Sequence, residues 1–399
     1  MQHYAVKGIT TTGYYNNNTH IMSTNNTKRI AISVLESHLL NTGLGEFENS
    51  IAQRMAQRAP MLKEKYGITL CFIVAKKWRK GCYGDNVEYL RISRTERKLL
   101  NVLPLRWMST VLLPHIDLLH WTNQFFKIKF RIAPQQLITV HDVNFMHNEI
   151  SDLHKKKKLW VMAKRVAKAT HFTFISEFTR TDFGKHFNFN KPSRVIVNGV
   201  TNLNIQPQEV YDATLKDMGV EPGYLFHISR WSRKKNVHLI VDMMRHLPGE
   251  RLVIAGTANE KFGQMLRQRA IEIGNNNITF VGKVSTAQKA ALLSRCKGML
   301  FPSRSEGFGL PVVEAMCFGK PSFLTRLTSL PEVGGKEAYY FDSLDPADMA
   351  ETVREGLADF ASAPEEKAER LRHRAAQFDW DKAVDEYIDF YLDILGIKH

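Results

Sequence analysis

Two carboxylates, two cations and a histidine stand where this chain could do chemistry. The carboxylates are Glu306 and Glu314, in SRSEGFGLPVVEAMCFGKP (303–321). The run GMLFPS (298–303) reads as a strand, the glycines after it as a turn, and Leu310–Pro311 as a helix start, since proline's missing N–H would be unpaired there anyway. Glycine lets the backbone N–H groups of Phe308, Gly309 and Leu310 approach a ligand, and the helix start favours an anion such as a diphosphate. Glu314, inside the helix, suits the paired hydroxyls of a ribose, and Glu306, in the turn, suits a sugar. The competing reading, two solvated carboxylates at an exposed helix start, is weaker because strand, turn and proline agree.

The cations lie in HISRWSRKKNVHLIV (227–241), where a strand ends near Ser229. Arg230 offers a bidentate fork for phosphate and Lys235 a movable point charge, so the pair could neutralise a leaving diphosphate in place of a metal ion. Arg233 and Lys234 read equally well as solvated. His141 and Asp142 follow the apolar run of TVHDVNFMHN (139–148) at its carboxyl end, and His141 suits hydrogen bonding to a sugar or acceptor, with general base action open to it. His38, His120 and His147 read as structural. Gly43 and Gly45, in LESHLLNTGLGEFENSIAQRMA (35–56), follow the first strand, and two glycines alone are a weak signal.

Short apolar runs alternate with helix-length segments along the whole chain: KRIAISVL (28–35), ITLCFIVA (68–75), DLLHW (117–121), QLITVHD (136–142) and THFTFIS (170–176), then YLFHIS (224–229), RLVIAG (251–256), NITFVG (277–282), GMLFPS and PSFLT (321–325). That alternation predicts two parallel sheets with helices on both faces, and ligand at the carboxyl ends of their strands. The polar stretch 198–210, with its Asn-Gly and Pro, is the natural linker.

With these elements in place, the chain resembles glycosyltransferase family 4 over about residues 29–396. The carboxylate pair matches the family's Glu–seven residues–Glu motif, Arg230 and Lys235 its Arg–four residues–Lys motif, Gly45 its glycine-rich loop and His141 a histidine near the transferring sugar. The resemblance implies an α/β architecture of the GT-B kind, two Rossmann-like doubly wound domains facing across a cleft, with a last helix crossing back to the first domain. It divides the chain into a leader (1–27, with Met22 a second candidate start), an acceptor domain (28–203), a nucleotide-sugar domain (204–377) and the crossing helix (378–399). It implies a retaining hexosyl transfer without metal or other cofactor, with His141, Arg230, Lys235 and Glu306 catalytic and Gly45, Phe308, Gly309, Leu310 and Glu314 on the donor. Asp379 and Asp381 form a superficial Asp-x-Asp, better read as a helix cap than as a metal site.

Charge is split unevenly: residues 1–205 hold 30 Lys+Arg against 13 Asp+Glu, residues 206–399 hold 25 against 27. A field of that kind attracts phosphate, anionic lipid or nucleic acid. Lys76–Lys80, Arg91–Lys98 and Lys155–Lys158 adjoin apolar stretches, including 99–113, and predict docking on an anionic membrane surface. No apolar run reaches the roughly 18 residues of a spanning helix, and the isolated Cys71, Cys82, Cys296 and Cys317 fit a reducing compartment. The expected partners are thus a UDP- or GDP-linked sugar and a membrane-associated glycan or glycolipid, at the inner face of the cytoplasmic membrane, in bacterial lipopolysaccharide or surface polysaccharide synthesis. A nucleotide-sugar epimerase on the same fold, an inactive homologue and a basic nucleic-acid-binding protein are the alternatives. The last leaves the donor motifs unexplained, and no nucleic-acid motif accompanies the charge.

Overall fold

The computed structural model describes residues 27–39, 42–76, 82–93, 95–96, 115–126, 133–147, 151–200, 203, 205–274 and 277–399. The leader, Lys77–Lys80, Arg94, Arg97–Lys98 and the stretch 99–113 therefore lie outside the described residues, apart from Thr27 at the leader's end.

Seven strands form the first sheet: β1 (Lys28–Ser33), β2 (Ile68–Ala75), β3 (Glu88–Ile92), β4 (Leu118–Trp121), β5 (Gln135–Val140), β6 (His171–Phe174) and β7 (Ser193–Val195). They pair in parallel in the order 3-2-1-4-5-6-7. The second sheet repeats the plan with β8 (Leu225–Arg230), β9 (Leu252–Thr257), β10 (Ile278–Gly282), β11 (Gly298–Phe301), β12 (Ser322–Thr325) and β13 (Tyr339–Phe341), in the order 10-9-8-11-12-13. Apolar residues on both faces of β1, β4, β8 and β11 bury these strands between helix layers, as a parallel sheet requires.

Each run taken for a strand from the sequence is one, within three residues at either end. Strands β3, β7 and β13 gave no such signal, for two physical reasons. In β3, an edge strand, Glu88 and Arg91 are exposed, so no apolar run forms. The other two are three residues long, too short for any periodicity.

Helix α1 (Gly43–Tyr66) starts where the Thr42 hydroxyl accepts the Gly45 N–H, and stops at Gly67, whose φ of 64° lets its N–H reach the carbonyls of Leu62 and Lys63. The chain then carries α2 (Asp152–Val166) and α3 (Glu177–His186) before passing to the second domain through 198–207. Last comes α6 (Trp380–Leu395), which packs on α1 and β4 of the first domain. Arg54 and Arg58 on α1 pair with Asp381 and Asp385. The Tyr391 hydroxyl meets His120 Nδ1 at 2.6 Å, and His120 Nε2 meets Thr139 at 2.7 Å, deep in the first sheet. Asp379 caps this helix, its carboxylate accepting the Asp381 N–H at 2.6 Å.

Candidate active site

Both sheets change direction between neighbouring strands, at β1/β4 and at β8/β11, and the loops leaving those strands face each other. Between them lies a cleft of about 880 Å³. Doubly wound sheets bind ligands at this place because strand order reverses there and the adjoining loops part.

Arg230, the last residue of β8, lines the cleft without an ion-pair partner among the described residues. Lys235 follows in a 3₁₀ turn whose end, Asn236, is held in the left-handed region at φ 53° while its Nδ2 donates to the Pro302 carbonyl at 2.8 Å. That anchor turns the Lys235 ammonium to Glu306, with which it pairs, 5.3 Å from the centre of the Phe301 ring. Neither Arg233 nor Lys234 lines the cleft.

After β11 the turn 303–309 is pinned from several sides. The Glu306 N–H donates to Thr328 Oγ1 at 3.0 Å, and the Ser329 hydroxyl reaches the carbonyls of Glu306 and Phe308 at 3.2 and 2.9 Å. Gly309 has φ 116°, a conformation that admits glycine readily, and it delivers the chain into α5 (Leu310–Cys317). No side chain among the described residues caps this helix, and Phe308, Gly309 and Leu310 at its start line the cleft. Glu314, one turn further, is 2% exposed and paired with Lys289. Burial raises its pKa, the Glu46 charge adds to that, and the Lys289 ammonium opposes both. Lys289 sits on α4 (Thr286–Arg295), whose start is closed by a capping box between Ser285 and Gln288.

Across the cleft, His141 directly follows β5. Its ring packs edge-on against Phe47 at 4.6 Å, and Nε2 lies 2.7 Å from the Thr122 carbonyl. A carbonyl can only accept, so Nε2 carries the proton and Nδ1 keeps its lone pair. Burial lowers the pKa of this imidazole and holds it neutral. The domains touch beneath it. A Cβ on Gly307 would collide with the His141 carbonyl, and the Gly307 carbonyl accepts the Ser176 hydroxyl at 3.1 Å. Glu332 of the second domain accepts the N–H groups of Glu177 and Phe178, at 2.8 and 3.1 Å, at the start of α3. The segment 176–187 is thus a joint between the domains.

The structure gathers His141, Arg230, Lys235, Glu306, Phe308, Gly309, Leu310 and Glu314 around one cleft. Gly45 is not among the lining residues, and its placement corrects the expectation. Its N–H is taken by Thr42, and its α-carbon abuts the Leu39 carbonyl so closely that a Cβ could not fit. It is a packing glycine, and its neighbours Gly43, Leu44 and Glu46 face the cleft. His38, His120 and His147 are held by Leu35, by Tyr391 and Thr139, and by Asp182, as structural residues would be.

Sequence reasoning missed Lys283, Lys289, Asn123 and Phe125 as lining residues, and it placed Asp142 at a strand end without giving it a role. Asn123 and Phe125 likewise follow a strand end, a signal that could have found them. The two lysines carried none. Glu48 was missed too: it is wholly buried, accepts the Glu36 N–H at 2.6 Å and lies 2.7 Å from Thr122 Oγ1. That hydroxyl is also 2.5 Å from the Ser33 carbonyl. Burial pushes the Glu48 pKa up to about 7, against the hydrogen bonds from Thr122 and Glu36.

Comparison with known proteins fits this geometry. The family described as "Glycosyl transferases group 1" matches residues 217–378. The serotype-specific mannosyltransferase WbdA of Escherichia coli is 30% identical over 190 residues, 46% of this chain and 23% of that protein, so the chain spans about a quarter of its length. The O-antigen chain mannosyltransferase B of Escherichia coli is 23% identical over 372 residues, 88% of this chain and 96% of the other. Among solved structures, HepE of Anabaena in complex with UDP and glucose superposes with a TM-score of 0.70 at 17% identity, over 91% of this chain and 99% of that one. The facing doubly wound domains and their superposition give the chain the GT-B fold, and within it residues 217–378 of the second domain match the group 1 glycosyl transferases.

Proposed function

We propose that the enzyme transfers a hexosyl group, with retention of configuration and without a metal ion, from a nucleotide-sugar to a membrane-associated glycan or glycolipid in the synthesis of a bacterial surface polysaccharide. The observation that carries the reading is the single cleft in which Arg230, Lys235 and the uncapped start of α5 converge on one wall, opposite the neutral His141. The donor diphosphate lies at that helix start. Arg230 and Lys235 stabilise the charge that grows as the sugar–phosphate bond breaks, an interaction stronger in the transition state than before it. Glu306 contacts the donor sugar and steers Lys235. Glu314 accepts the ribose hydroxyls. The acceptor hydroxyl attacks C1 from the face the phosphate leaves, and its proton passes to a phosphate oxygen. His141 Nδ1 accepts a hydroxyl of the sugar or acceptor. The named activity of the mannosyltransferase relatives makes a mannosyl group the first to try.

Membrane association is supported by α2, which presents Leu153 and Trp160, 76% and 60% exposed, beside the exposed Lys156, Lys157, Lys158 and Lys164. No helix among the described residues is long and apolar enough to cross a bilayer. The test is calorimetry with UDP-, GDP- and ADP-sugars in EDTA, on the wild type and on Arg230→Ala. The reading expects one donor to bind the wild type well and the variant poorly. Binding that needs added metal, or no binding of any donor, overturns it.

A further inference from the structure

Lys289 and Glu314 form a buried ion pair in the wall of the cleft. Their side chains are 19% and 3% exposed, and Glu314 stands on α5 among Val312, Val313, Ala315 and Met316, all of them buried. An ion pair in such surroundings adds little to stability, because desolvating both charges offsets their attraction, and apolar side chains of similar volume serve a core as well. The carboxylate therefore has a use other than packing, and its place in the cleft wall points to a ligand.

Lys289 is held in place by its own helix. The capping box fixes the first turn of α4, and the Lys289 N–H donates to the Ser285 carbonyl at 2.9 Å. Its ammonium donates to Glu314 Oε1. An ionised carboxylate has about four acceptor positions, so one ammonium leaves room for both hydroxyls of a vicinal diol. A protonated carboxyl turns one oxygen into a donor and loses that arrangement.

The surroundings of Glu314 favour the protonated form. Burial raises its pKa, and the Glu46 carboxylate on α1, which also lines the cleft, adds to that, while Lys289 acts the other way. The Cys317 thiol on the same helix is pushed up to about 11 by burial and stays neutral. Arg295, at the far end of α4, pairs with Asp212. Strands β11 and β12, which pack on α5, carry no ionisable side chain. Two further helices lie against α5, Leu330–Gly334 and Pro364–Ala375. On the first, Glu332 is taken by the start of α3. On the second, Lys367 pairs with Asp359, Arg374 donates to the carbonyls of Glu332 and Val333, and the other ionisable groups are exposed.

We infer that Lys289 is a positioning residue for the nucleoside of the donor: its ammonium keeps Glu314 a carboxylate, able to accept two ribose hydroxyls at once. This rests on assigning Glu314 to the ribose.

The test titrates the full chain by calorimetry, from about pH 5.5 to about pH 9, with whichever of UDP, GDP and ADP binds best and with its 2′-deoxy form. The wild type should prefer the ribonucleotide by about fivefold or more. Lys289→Gln keeps a donor beside Glu314 and drops the charge. Without the cation the carboxyl takes up its proton at higher pH, so the variant's preference should fade as pH drops, with a midpoint about one unit or more above that of the wild type. Lys289→Met should show the same displacement, so the result stands if one of the two fails to fold. Lys289→Arg should restore the wild-type profile, which a merely structural role would not require. A preference that fades at the same pH in the wild type and in the uncharged variants overturns the inference and leaves Glu314 on the ribose. Equal affinity of the wild type for both forms at every pH, or no binding of any nucleotide, removes the ribose assignment and the inference with it.

Discussion

Among the described residues no carboxylate pairs with Arg230 in the cleft, whereas Lys235 and Lys289 are each held by one. Arg230 thus has its full fork to offer a diphosphate, and Arg230→Ala should weaken nucleotide-diphosphate binding by about 10- to 100-fold, the worth of a charge-assisted hydrogen bond of roughly 1.5–3 kcal/mol. Glu48 makes a different prediction. Its pKa rises on folding from 4.5 to about 7, so between those pH values the folded protein binds more protons than the unfolded chain. Its stabilisation is then complete below pH 4.5 and is lost as pH rises towards 7, a fall of about 3 kcal/mol at 1.36 kcal/mol per unit. Denaturant melts from pH 4.5 to 7.5 should show that slope in the wild type and lack it in Glu48→Gln, and equal slopes in both would refute the assignment. The two residues also mark what was legible in the sequence. Arg230 and Glu306 announce themselves because an ionic side chain directly after a buried strand has few structural uses. Glu48 sits on a helix among polar neighbours, Glu46 and Asn49, and only the tertiary fold shows that it points inward. Gly45 and Gly43 look alike in one dimension, and only the approach of Leu39 separates the packing glycine from the lining one.

At the scale of elements, the strand-to-helix turns carry the site, and the turn at 303–309 also carries the contact between domains. Gly307→Ala would push a methyl group into the His141 carbonyl. The expected outcome is a wider interdomain angle, read as a larger radius of gyration in solution scattering, and a severe loss of transfer activity, while nucleotide affinity stays near wild type because Arg230 and α5 belong to one rigid half. An unchanged radius with unchanged activity would show the contact to be dispensable. The central strands could be read from sequence because a parallel sheet buries both faces and so writes an uninterrupted apolar run. Edge strands bury half as much and leave a mixed pattern, which is why Glu88–Ile92 passed unseen. The cap at Asp379 was legible for a local reason, since it needs only the N–H groups of the following turn.

For the whole molecule the split of charge matters most. Replacing Lys156, Lys157 and Lys158 together by Glu should weaken binding to anionic liposomes by about 100-fold or more, taking about 1 kcal/mol for each cation at the surface, and wild-type binding should itself weaken as salt rises. Co-sedimentation measures both, and retained binding by the triple variant would move the docking face elsewhere. The last helix has a consequence of another kind. His120 and Tyr391, hydrogen-bonded in the finished protein, are 271 residues apart in the chain. At about 5–20 residues per second, a ribosome needs roughly 15–55 s to travel from one to the other. For most of that interval the first sheet is already made, with His120, Thr139 and the inner face of α1 uncovered, and it must wait, as an unfinished body, for the helix Trp380–Leu395. A nascent chain broken off after the second sheet would carry every motif residue of the second domain's wall and still expose that face, so proteolysis can tell a chain that has the Trp380–Leu395 helix from one that lacks it by the first domain rather than the last.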